Sequence, residues 1–406
     1  MQRQKQNFII IWICNLLVAG TMTMIMPFLS LYIETMGDFS ESYVQKWAGI
    51  IFGATFITAF LMSPIWGRIA DKYGYKPILV INATGLALSI LLMGYVENVW
   101  QFFFLRLLMG VVTGFIPTSL AFISSQTDKK EAGKTLGTLQ MGSVSGTLFG
   151  PIVGGLLADS FGFQYTFIIT AVTVFVAGII ILVGVTEVKA VKKKAAQIYS
   201  RKDVLVGIIK HPLLFNVMLI TSLIQIGNFS IQPLLSLYVS DLISDPMQVT
   251  FLAGLTFSAA GLGNILFSRF WGRLGDHIGY EKVLFILLGF AVIFMIPQAW
   301  VTSLWQLILL RLIYGTVLGG LIPTTTALIR REAPISIQGE VMGYNTSFRF
   351  FGNIFGPLLG GFVSGLFSIS AVFYSTAALF LIAFIILYFI KKKPSVDLDD
   401  IIKGRS

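Results

Sequence analysis

The stretch GTLFGPIVGG, from Gly146 to Gly155, places four glycines and a proline inside an apolar run long enough to cross a membrane as a helix. Glycine and proline weaken an isolated helix, so their presence in such a run needs a packing reason. A second stretch, GNIFGPLLGG from Gly352 to Gly361, repeats the pattern 206 positions later. The two stretches predict two copies of one membrane helix.

The composition extends this prediction to the whole chain of 406 residues. Hydrophobic residues make up 55% of the sequence and charged residues only 12%, which lies outside the range of soluble globular proteins. Apolar runs of about 20 residues span about 30 Å of hydrocarbon, and the chain divides into twelve of them. The predicted spans lie near 8–33, 44–66, 77–96, 100–124, 134–158, 163–186, 212–240, 249–271, 281–301, 304–330, 338–364 and 369–390.

The net charge of +10 follows the predicted topology. All but four of the 29 lysines and arginines lie at helix ends or in loops of one side; the exceptions are Lys46, Arg106, Arg311 and Arg349. By the positive-inside rule this side is cytoplasmic, and it holds both termini. We therefore expect a multi-pass membrane protein that contacts anionic lipid and binds no nucleic acid. The first apolar run lacks a small-residue cleavage site and is interpreted as a retained helix.

Further blocks repeat at an offset of 205 or 206 residues, which predicts two halves of six helices in the same orientation. The predicted boundaries are 1–186 for the first bundle, 187–210 for a cytoplasmic linker, 211–393 for the second bundle and 394–406 for a cytoplasmic tail. The paired blocks are PFLSLY (27–32) with PLLSLY (233–238), WGRIADKYGYK (66–76) with WGRLGDHIGYE (271–281), LRLLMG (105–110) with LRLIYG (310–315), and IPT (116–118) with IPT (322–324).

These blocks carry a resemblance to a known family. WGRIADKYGYK resembles the cytoplasmic helix 2–3 signature of the major facilitator superfamily, and LRLLMG resembles its helix-4 arginine signature. GTLFGPIVGG resembles its helix-5 antiporter signature, which is associated with the twelve-helix drug:proton antiporter branch. The resemblance implies an all-α membrane protein with twelve transmembrane helices in two pseudo-symmetric six-helix bundles.

The helix 2–3 block predicts a conformational latch. Gly67 would allow a close helix crossing, and Asp71 could meet the positive N-terminal end of a neighbouring helix. By resemblance that neighbour is helix 11, which begins near Gln338, and the contact holds the cytoplasmic side closed. The alternative is a solvated loop that only follows the positive-inside rule. The predicted latch residues are Gly67, Arg68, Asp71, Lys72, Gly74, Lys76 and Asp276.

The glycine stretches predict close helix packing, because small residues at every fourth position let two helices approach. By resemblance, helices 5 and 11 face helices 8 and 2 between the bundles and seal one face of a central cavity. The alternative is that the glycines only pack neighbouring helices. The predicted interface residues are Gly146, Gly150, Pro151, Gly154, Gly352, Gly356, Pro357 and Gly360.

Proton coupling is the hardest function to locate. An arginine inside a membrane costs about 3 kcal/mol and is a functional hypothesis by default; by resemblance, Arg106 controls a proton-binding carboxylate. All 19 carboxylates, however, map to loops or helix ends. We expect Glu34, which Arg106 could approach, to be the proton site, with Asp159 and Asp241 as further candidates. The alternative for Glu34 is an interfacial carboxylate without a coupling role.

The predicted substrate cavity is lined by helices 1, 4, 7 and 10 together with Arg349 of helix 11. Flexible methionines, aromatic rings and uncharged hydrogen-bonding groups suit varied amphiphilic molecules, although the same residues also fill helical bundles. Arg349 could contact an anionic or carbonyl-bearing substrate or pair with a helix end. The predicted lining residues are Met22, Met26, Tyr32, Phe115, Gln225, Asn228, Phe229, Gln232, Tyr314 and Arg349.

Together these features and the resemblance predict a secondary transporter of a bacterial plasma membrane that exports amphiphilic drugs or dyes in exchange for protons, with no cofactor besides the proton gradient. Function as a monomer is implied by the resemblance alone. One alternative is a proton symporter or facilitator for a small metabolite, and another is a non-transporting receptor on the same fold. An enzyme is not expected, because no nucleophile–base pair or phosphate-binding loop is found. One cysteine and two histidines also give no metal-binding cluster.

Overall fold

A computed structural model describes residues 2–127, 131–187, 201–243, 248–334, 337–390 and 398 of the protein. These residues form sixteen α-helices and no strand. The helices are α1 (Gln2–Met24), α2 (Leu29–Glu34), α3 (Glu41–Tyr73), α4 (Tyr75–Met93), α5 (Val99–Val111), α6 (Phe115–Gln126), α7 (Ala132–Phe161), α8 (Phe163–Gly184), α9 (Arg201–Lys210), α10 (Pro212–Ser230), α11 (Leu235–Leu242), α12 (Val249–Ile278), α13 (Tyr280–Met295), α14 (Leu304–Glu332), α15 (Gln338–Leu366) and α16 (Ile369–Ile390).

Counting α1 with α2, α5 with α6, and α10 with α11 as single spans, eleven of the predicted spans are long and apolar enough to cross a membrane within the described residues. The twelfth, predicted at 338–364, forms helix α15 but is too polar to be counted with these eleven. Its first half carries polar residues such as Glu340, Asn345 and Arg349, which lower its hydropathy. Such a helix must turn this face toward protein or water, because polar side chains are costly in lipid.

Three predicted spans are interrupted where proline prevents a regular helical hydrogen bond. The first span breaks at Met26–Phe28, around Pro27, and its repeat in the second half breaks at Gln232–Leu234, around Pro233. The fourth span breaks between α5 and α6, where Pro117 cannot donate to the carbonyl of Thr113. The repeated PFLSLY and PLLSLY blocks therefore encode the same bend twice.

The chain divides into two compact units that do not follow the sequence halves at every point. The first comprises residues 1–193 and 233–258, and the second comprises residues 194–232 and 259–406. The segment 233–258, which the repeat assigns to the second bundle, thus belongs to the first unit. Part of the predicted linker 187–210 forms α9, while 188–200 and most of the tail 394–406 lie outside the described residues.

The core of the first unit is aromatic. Tyr32 contacts Phe102, Phe163 and Phe167 with ring centroids 5.1–5.7 Å apart, and its hydroxyl donates to the carbonyl oxygen of Met93 at 3.0 Å. Such edge-to-face contacts add to the energy of burying the rings. The cluster joins α2, α5 and α8 into one body.

Candidate functional site

The glycine stripe of α7 packs against α1, inside the first unit. A Cβ atom at Gly146 would lie 2.2 Å from the carbonyl oxygen of Leu16, and one at Gly154 would lie 2.0 Å from that of Met24. Gly150 is equally close to Gly20, with 2.4 Å to its carbonyl oxygen. This corrects the expectation that these three glycines seal a face against helix 8. They allow α1 and α7 to touch through their backbones.

The second stripe makes the equivalent contact inside the second unit, where α15 packs against α10. A Cβ atom at Gly360 would lie 1.8 Å from the carbonyl oxygen of Ser230, and one at Gly356 would lie 2.7 Å from that of Ile226. Gly352 would meet the side chain of Gln225 at 2.4 Å. Both stripes therefore join a helix to the first helix of its own sequence half.

A different face of α7 meets α12, and both parts of this contact belong to the first unit. A Cβ atom at Gly254 would lie 2.2 Å from the carbonyl oxygen of Pro151, and one at Gly155 would lie 2.3 Å from that of Thr250. The hydroxyl of Ser258 donates to the carbonyl oxygen of Leu148 at 2.6 Å. We call this contact the α7–α12 seam. Its members are Leu148, Pro151, Gly155 and Asp159 on α7 and Thr250, Phe251, Gly254 and Ser258 on α12.

Asp159 fastens the end of the seam. Its carboxylate accepts hydrogen bonds from the backbone N–H groups of Thr250, at 3.3 Å, and Phe251, at 2.7 Å. These donors lie in the first turn of α12, where backbone N–H groups lack helical partners and the helix dipole favours negative charge. The sequence predicted Asp159 as a coupling acid, and its contact with α12 was not foreseen.

Beside the seam, the two bent segments that follow the repeated prolines meet each other. The hydroxyls of Ser30 on α2 and Ser236 on α11 lie 2.8 Å apart and are fully buried. The two serines occupy the same position of the repeat, 206 residues apart. A contact between the same residue of two copies is the kind expected beside a two-fold axis.

Glu34 and Arg106 are not brought together. Glu34 is exposed at the end of α2. The charged groups that interact electrostatically with its carboxylate are those of Asp241 and Glu41. Arg106 is buried in α5, with its guanidinium 5.5 Å from the ring centroid of Phe102. Neither residue forms an ion pair within the described part of the chain. The expected approach of Arg106 to Glu34 is thus wrong for this conformation.

Arg106 and its repeat partner Arg311 are instead buried cations with incomplete hydrogen bonding. The Nε atom of Arg106 has no partner among the described residues, and neither do the Nε and Nη1 atoms of Arg311. Tyr314, one turn from Arg311, is fully buried, and its hydroxyl also lacks a described partner. These groups retain unused hydrogen-bonding capacity inside their bundles.

The predicted latch is exposed and locally organised. Asp71 accepts a hydrogen bond from the hydroxyl of Tyr75 at 2.9 Å, and Lys72 lies 4.9 Å from the ring of Tyr73. Arg68 is also exposed, and no described atom lies within 4 Å of a Cβ atom placed on Gly67. The close crossing expected at Gly67 is therefore wrong in this conformation. The start of α15, the expected partner of Asp71, belongs to the second unit, and that pairing stays a prediction.

The turn between α3 and α4 explains two of the remaining latch residues. Gly74 has φ +100°, a conformation that favours glycine, and it lets α4 start directly after α3. Glu187, which sequence reasoning missed, accepts from the backbone N–H groups of Tyr75 at 3.1 Å and Lys76 at 2.7 Å. It supplies the acidic cap that the start of α4 lacks.

The second copy of the block repeats this arrangement with one change. Gly279 has φ +93°, and the hydroxyl of Tyr280 donates to the exposed Asp276 at 2.5 Å. Here the first turn of α13 carries its own acid, Glu281. The tryptophans that begin both blocks also match, because Trp66 donates to the carbonyl oxygen of Val111 at 2.6 Å and Trp271 to that of Thr316 at 2.7 Å. The repeated WGR sequence is the feature from which this shared hydrogen bond could have been predicted.

The predicted cavity residues fall into two groups. Tyr32, Phe115, Gln225 and Tyr314 are buried in the interiors of their bundles, which corrects the expectation that they line a cavity. The partly exposed residues are Met22, Met26, Asn228, Phe229, Gln232 and Arg349. These six remain able to contact a substrate.

In the second unit, polar groups from two helices converge. Gln225 on α10 is buried and donates through its amide nitrogen to Asn353 on α15 at 2.9 Å. Arg349 lies one turn before Asn353, and its Nε atom has no partner among the described residues. The polar face of α15 thus offers a cation and an amide beside α10. No group of three or more histidine, cysteine, aspartate or glutamate side chains suited to a metal ion occurs in the described ranges.

Solved structures share this arrangement of helices. A bacterial homologue of the human lysosomal transporter Spinster, in an inward-facing and unoccupied conformation, superposes with a TM-score of 0.79 at 12% identity, covering 96% of this chain and 97% of that one. The nucleoside transporter NupG gives a TM-score of 0.76 at 16% identity, covering 97% of this chain and all of that one. At these identities the likeness concerns the fold.

Sequence relatives are closer. The chain is 56% identical over 382 residues to the uncharacterized MFS-type transporter YuxJ of Bacillus subtilis, covering 94% of this chain and 97% of that protein. It is 38% identical over 378 residues to the multidrug resistance protein MdtG of Salmonella typhimurium, covering 93% of each. The family model of the Major Facilitator Superfamily matches residues 11–250 and 217–403. This protein therefore belongs to the Major Facilitator Superfamily of membrane transporters.

Proposed function

We propose that this transporter exports amphiphilic molecules across a bacterial plasma membrane in exchange for protons, by alternating access. Relatives at 37–39% identity over about nine tenths of the chain are named multidrug resistance proteins. The proposal also includes the predicted cytoplasmic termini, monomeric function and the proton gradient as the energy source.

The α7–α12 seam is the observation that carries the proposal. The predicted orientation puts the end of α7, and therefore Asp159, on the outer side of the membrane. In this proposal a path to that side opens through the seam, whose described contacts include three hydrogen bonds and two glycine crossings. Such contacts can be broken and remade at modest cost, as a gate requires.

The partly exposed residues support an amphiphilic substrate. Met22, Met26 and Phe229 offer adaptable apolar contact, and Asn228 and Gln232 offer uncharged hydrogen bonding. The Oε1 atom of Gln232 is buried without a partner in the described structure, so a substrate donor can satisfy it. No described acid lies in the central turns of a membrane helix, so we expect no strict preference for cations.

Transport by purified protein in liposomes tests the proposal. With an imposed pH gradient, a panel of cationic, zwitterionic and neutral amphiphiles is added while a pH-sensitive dye reports the lumen. We expect substrate movement against proton flow, with collapse of the gradient only when substrate is present. Glu34→Gln should remove the dependence on the gradient and keep substrate binding. Gradient-driven transport by the Glu34→Gln variant would exclude Glu34 as the proton site.

A second candidate is a facilitator that moves no protons. It is favoured by one observation, namely that the described carboxylates of the membrane helices all lie near helix ends. The same liposomes separate the two functions, because a facilitator equilibrates substrate with no change in lumenal pH. That result would overturn exchange with protons and retain transport.

A further inference from the structure

A polar cavity of about 530 Å³ opens in the first unit, away from the seam. It is formed by the start of α1, the end of α6 and the start of α7. These are the ends of three membrane spans, at Arg3, Gln126 and Gly133. The cavity therefore lies at the level of the lipid headgroups, and its size is within the usual range of small-molecule sites, about 300–1,000 Å³.

Hydrogen bonds between the three helices hold the cavity walls in place. Asn7 donates to the side-chain oxygen of Gln126 at 3.1 Å and to the carbonyl oxygen of Thr186 at 3.0 Å, and it accepts from the backbone N–H of Thr186 at 3.0 Å. The indole of Trp12 donates to the carbonyl oxygen of Thr138 at 3.0 Å. These bonds pin α1 to α6 and α7, so the cavity is preformed.

The lining supplies positive charge and hydrogen-bond donors. Lys5 and Lys134 both line the cavity, and neither forms an ion pair within the described part of the chain. The amide nitrogen of Gln126 is buried and has no described partner, while the oxygen of that amide accepts from Asn7. Two ammonium groups beside amide and hydroxyl donors suit a phosphate group.

One lining residue, Glu131, disfavours a simple anion and favours a ligand that also carries hydroxyl groups. Its carboxylate repels a bare anion and can accept hydrogen bonds from hydroxyl groups. A ligand that places phosphate against the lysines and hydroxyls against Glu131 satisfies both kinds of group. A phosphoglycerol group has this composition.

We propose that this cavity binds a phosphoglycerol group through Lys5 and Lys134, with Glu131 accepting from its hydroxyls. This chemistry is shared by the headgroup of phosphatidylglycerol in the membrane and by soluble glycerol phosphate. The site is independent of the transport path proposed above.

Binding to the purified full-length protein in detergent tests this inference. The probes are a short-chain phosphatidylglycerol, a phosphatidylcholine of the same chain length and glycerol phosphate, with affinity measured by calorimetry and lipid retention by native mass spectrometry. Each lysine near a membrane surface contributes about fivefold to anion affinity. We therefore expect Lys5→Gln and Lys134→Gln to weaken phosphatidylglycerol binding about fivefold each.

Two control variants make the test specific. Lys282→Gln removes an exposed lysine at the start of α13 and should leave binding unchanged. Glu131→Gln should tighten binding of inorganic phosphate, since it removes the opposing charge, and should reduce the preference for phosphoglycerol over plain phosphate. A merely nonspecific surface attraction would not give this exchange of preference.

The probes also distinguish membrane phosphatidylglycerol from soluble glycerol phosphate as the ligand. Retention of phosphatidylglycerol without binding of glycerol phosphate assigns the site to membrane lipid, and binding of both assigns it to the phosphoglycerol group itself. Equal binding of phosphatidylcholine, or equal loss in Lys5→Gln and Lys282→Gln, overturns the proposal. Because binding is measured without transport, failure here is distinct from failure of the exporter hypothesis.

Discussion

The glycine stripes of α7 and α15 show how one sequence pattern is used in two different settings. Each stripe presses its helix onto the first helix of its own half, with prospective Cβ atoms about 2 Å from backbone oxygens at Gly154 and Gly360. In this respect the copies are alike. On a neighbouring face, α7 also forms the seam with α12 through Pro151 and Gly155.

The residue that fastens the seam is not repeated. Asp159 bonds the first turn of α12, and the position 206 residues later is Gly365, which has no carboxylate. The shared pattern therefore builds two similar helix pairs, while the acid that bonds the seam belongs to the first copy of the repeat alone. The comparison teaches that a duplicated fold can form contacts that depend on residues outside the repeat.

The largest effect is expected from filling the stripes. Alanine at Gly154 or at Gly360 would overlap a backbone oxygen of the facing helix, and overpacking of this kind costs about 1–3 kcal/mol. We expect a similar fall in the free energy of unfolding for both variants, measured by thermal melting in detergent. The matched control is Gly137→Ala, also on α7, where no described atom lies within 4 Å. Melting of Gly154→Ala at the temperature of the control would show that the stripes are not equivalent.

The next effect concerns the fastening itself. Asp159→Asn keeps an acceptor oxygen and loses the charge, and hydrogen bonds to charged groups contribute about 1.5–3 kcal/mol. We expect an impermeant maleimide to label a Ser258→Cys variant at least about tenfold faster when Asp159 is Asn, because the seam opens more often. Cys14 is fully buried and should give little background. Asp203→Asn, in α9, is the control. Equal labelling of Ser258→Cys with either Asp159→Asn or Asp203→Asn would show that Asp159 does not hold the seam closed.

A smaller effect should distinguish the two helix 2–3 blocks. Glu187→Gln removes the acidic cap of α4 and should destabilise the protein by about 1 kcal/mol. Glu281→Gln removes a first-turn acid of α13 that, among the described residues, interacts with the helix dipole alone, and should cost about 0.3–1 kcal/mol. Melting temperatures of the two variants test the order. The reverse order would show that the second block, not the first, depends on its acid.

A similar effect on stability, with none on substrate preference, is expected at Tyr32. Tyr32→Phe keeps the ring in its aromatic cluster and loses one hydrogen bond to Met93, about 1 kcal/mol. Because the ring is buried, the preference among amphiphiles should not change, whereas Phe229→Ala, at a partly exposed position, should change it. A changed substrate preference in Tyr32→Phe would show that Tyr32 does line the substrate cavity.

Much of the fold follows from the sequence because hydropathy and repetition are direct records of membrane spans. The twelve expected helices correspond to the observed ones. The matched bends at Pro27 and Pro233 were not predicted. The break before Phe115 was not expected. The sequence places Pro117 in the span but does not show whether the helix bends or breaks where the proline removes a hydrogen-bond donor. The weak hydropathy of α15 was visible in its composition and indicates a polar face.

The site was harder to predict because spacing within one helix does not say which helix faces it. The fourfold spacing of Gly146, Gly150 and Gly154 correctly predicted a close crossing, and the partner was wrong. Glu187 was hidden in a charged segment, where an acid looks like ordinary linker. Contacts such as that of Asp159 with Phe251 join residues 92 positions apart, and no local pattern records them.

The bond between Ser30 and Ser236 has a consequence for the origin of such a chain. A serine hydroxyl can both donate and accept, so two copies of one serine form a self-complementary pair across a two-fold axis. In a symmetric homodimer, a residue beside the axis meets its own counterpart in this way. The contact therefore needs no covalent connection between the two copies. It is one that two separate half-length subunits could already have made before gene duplication and fusion joined them.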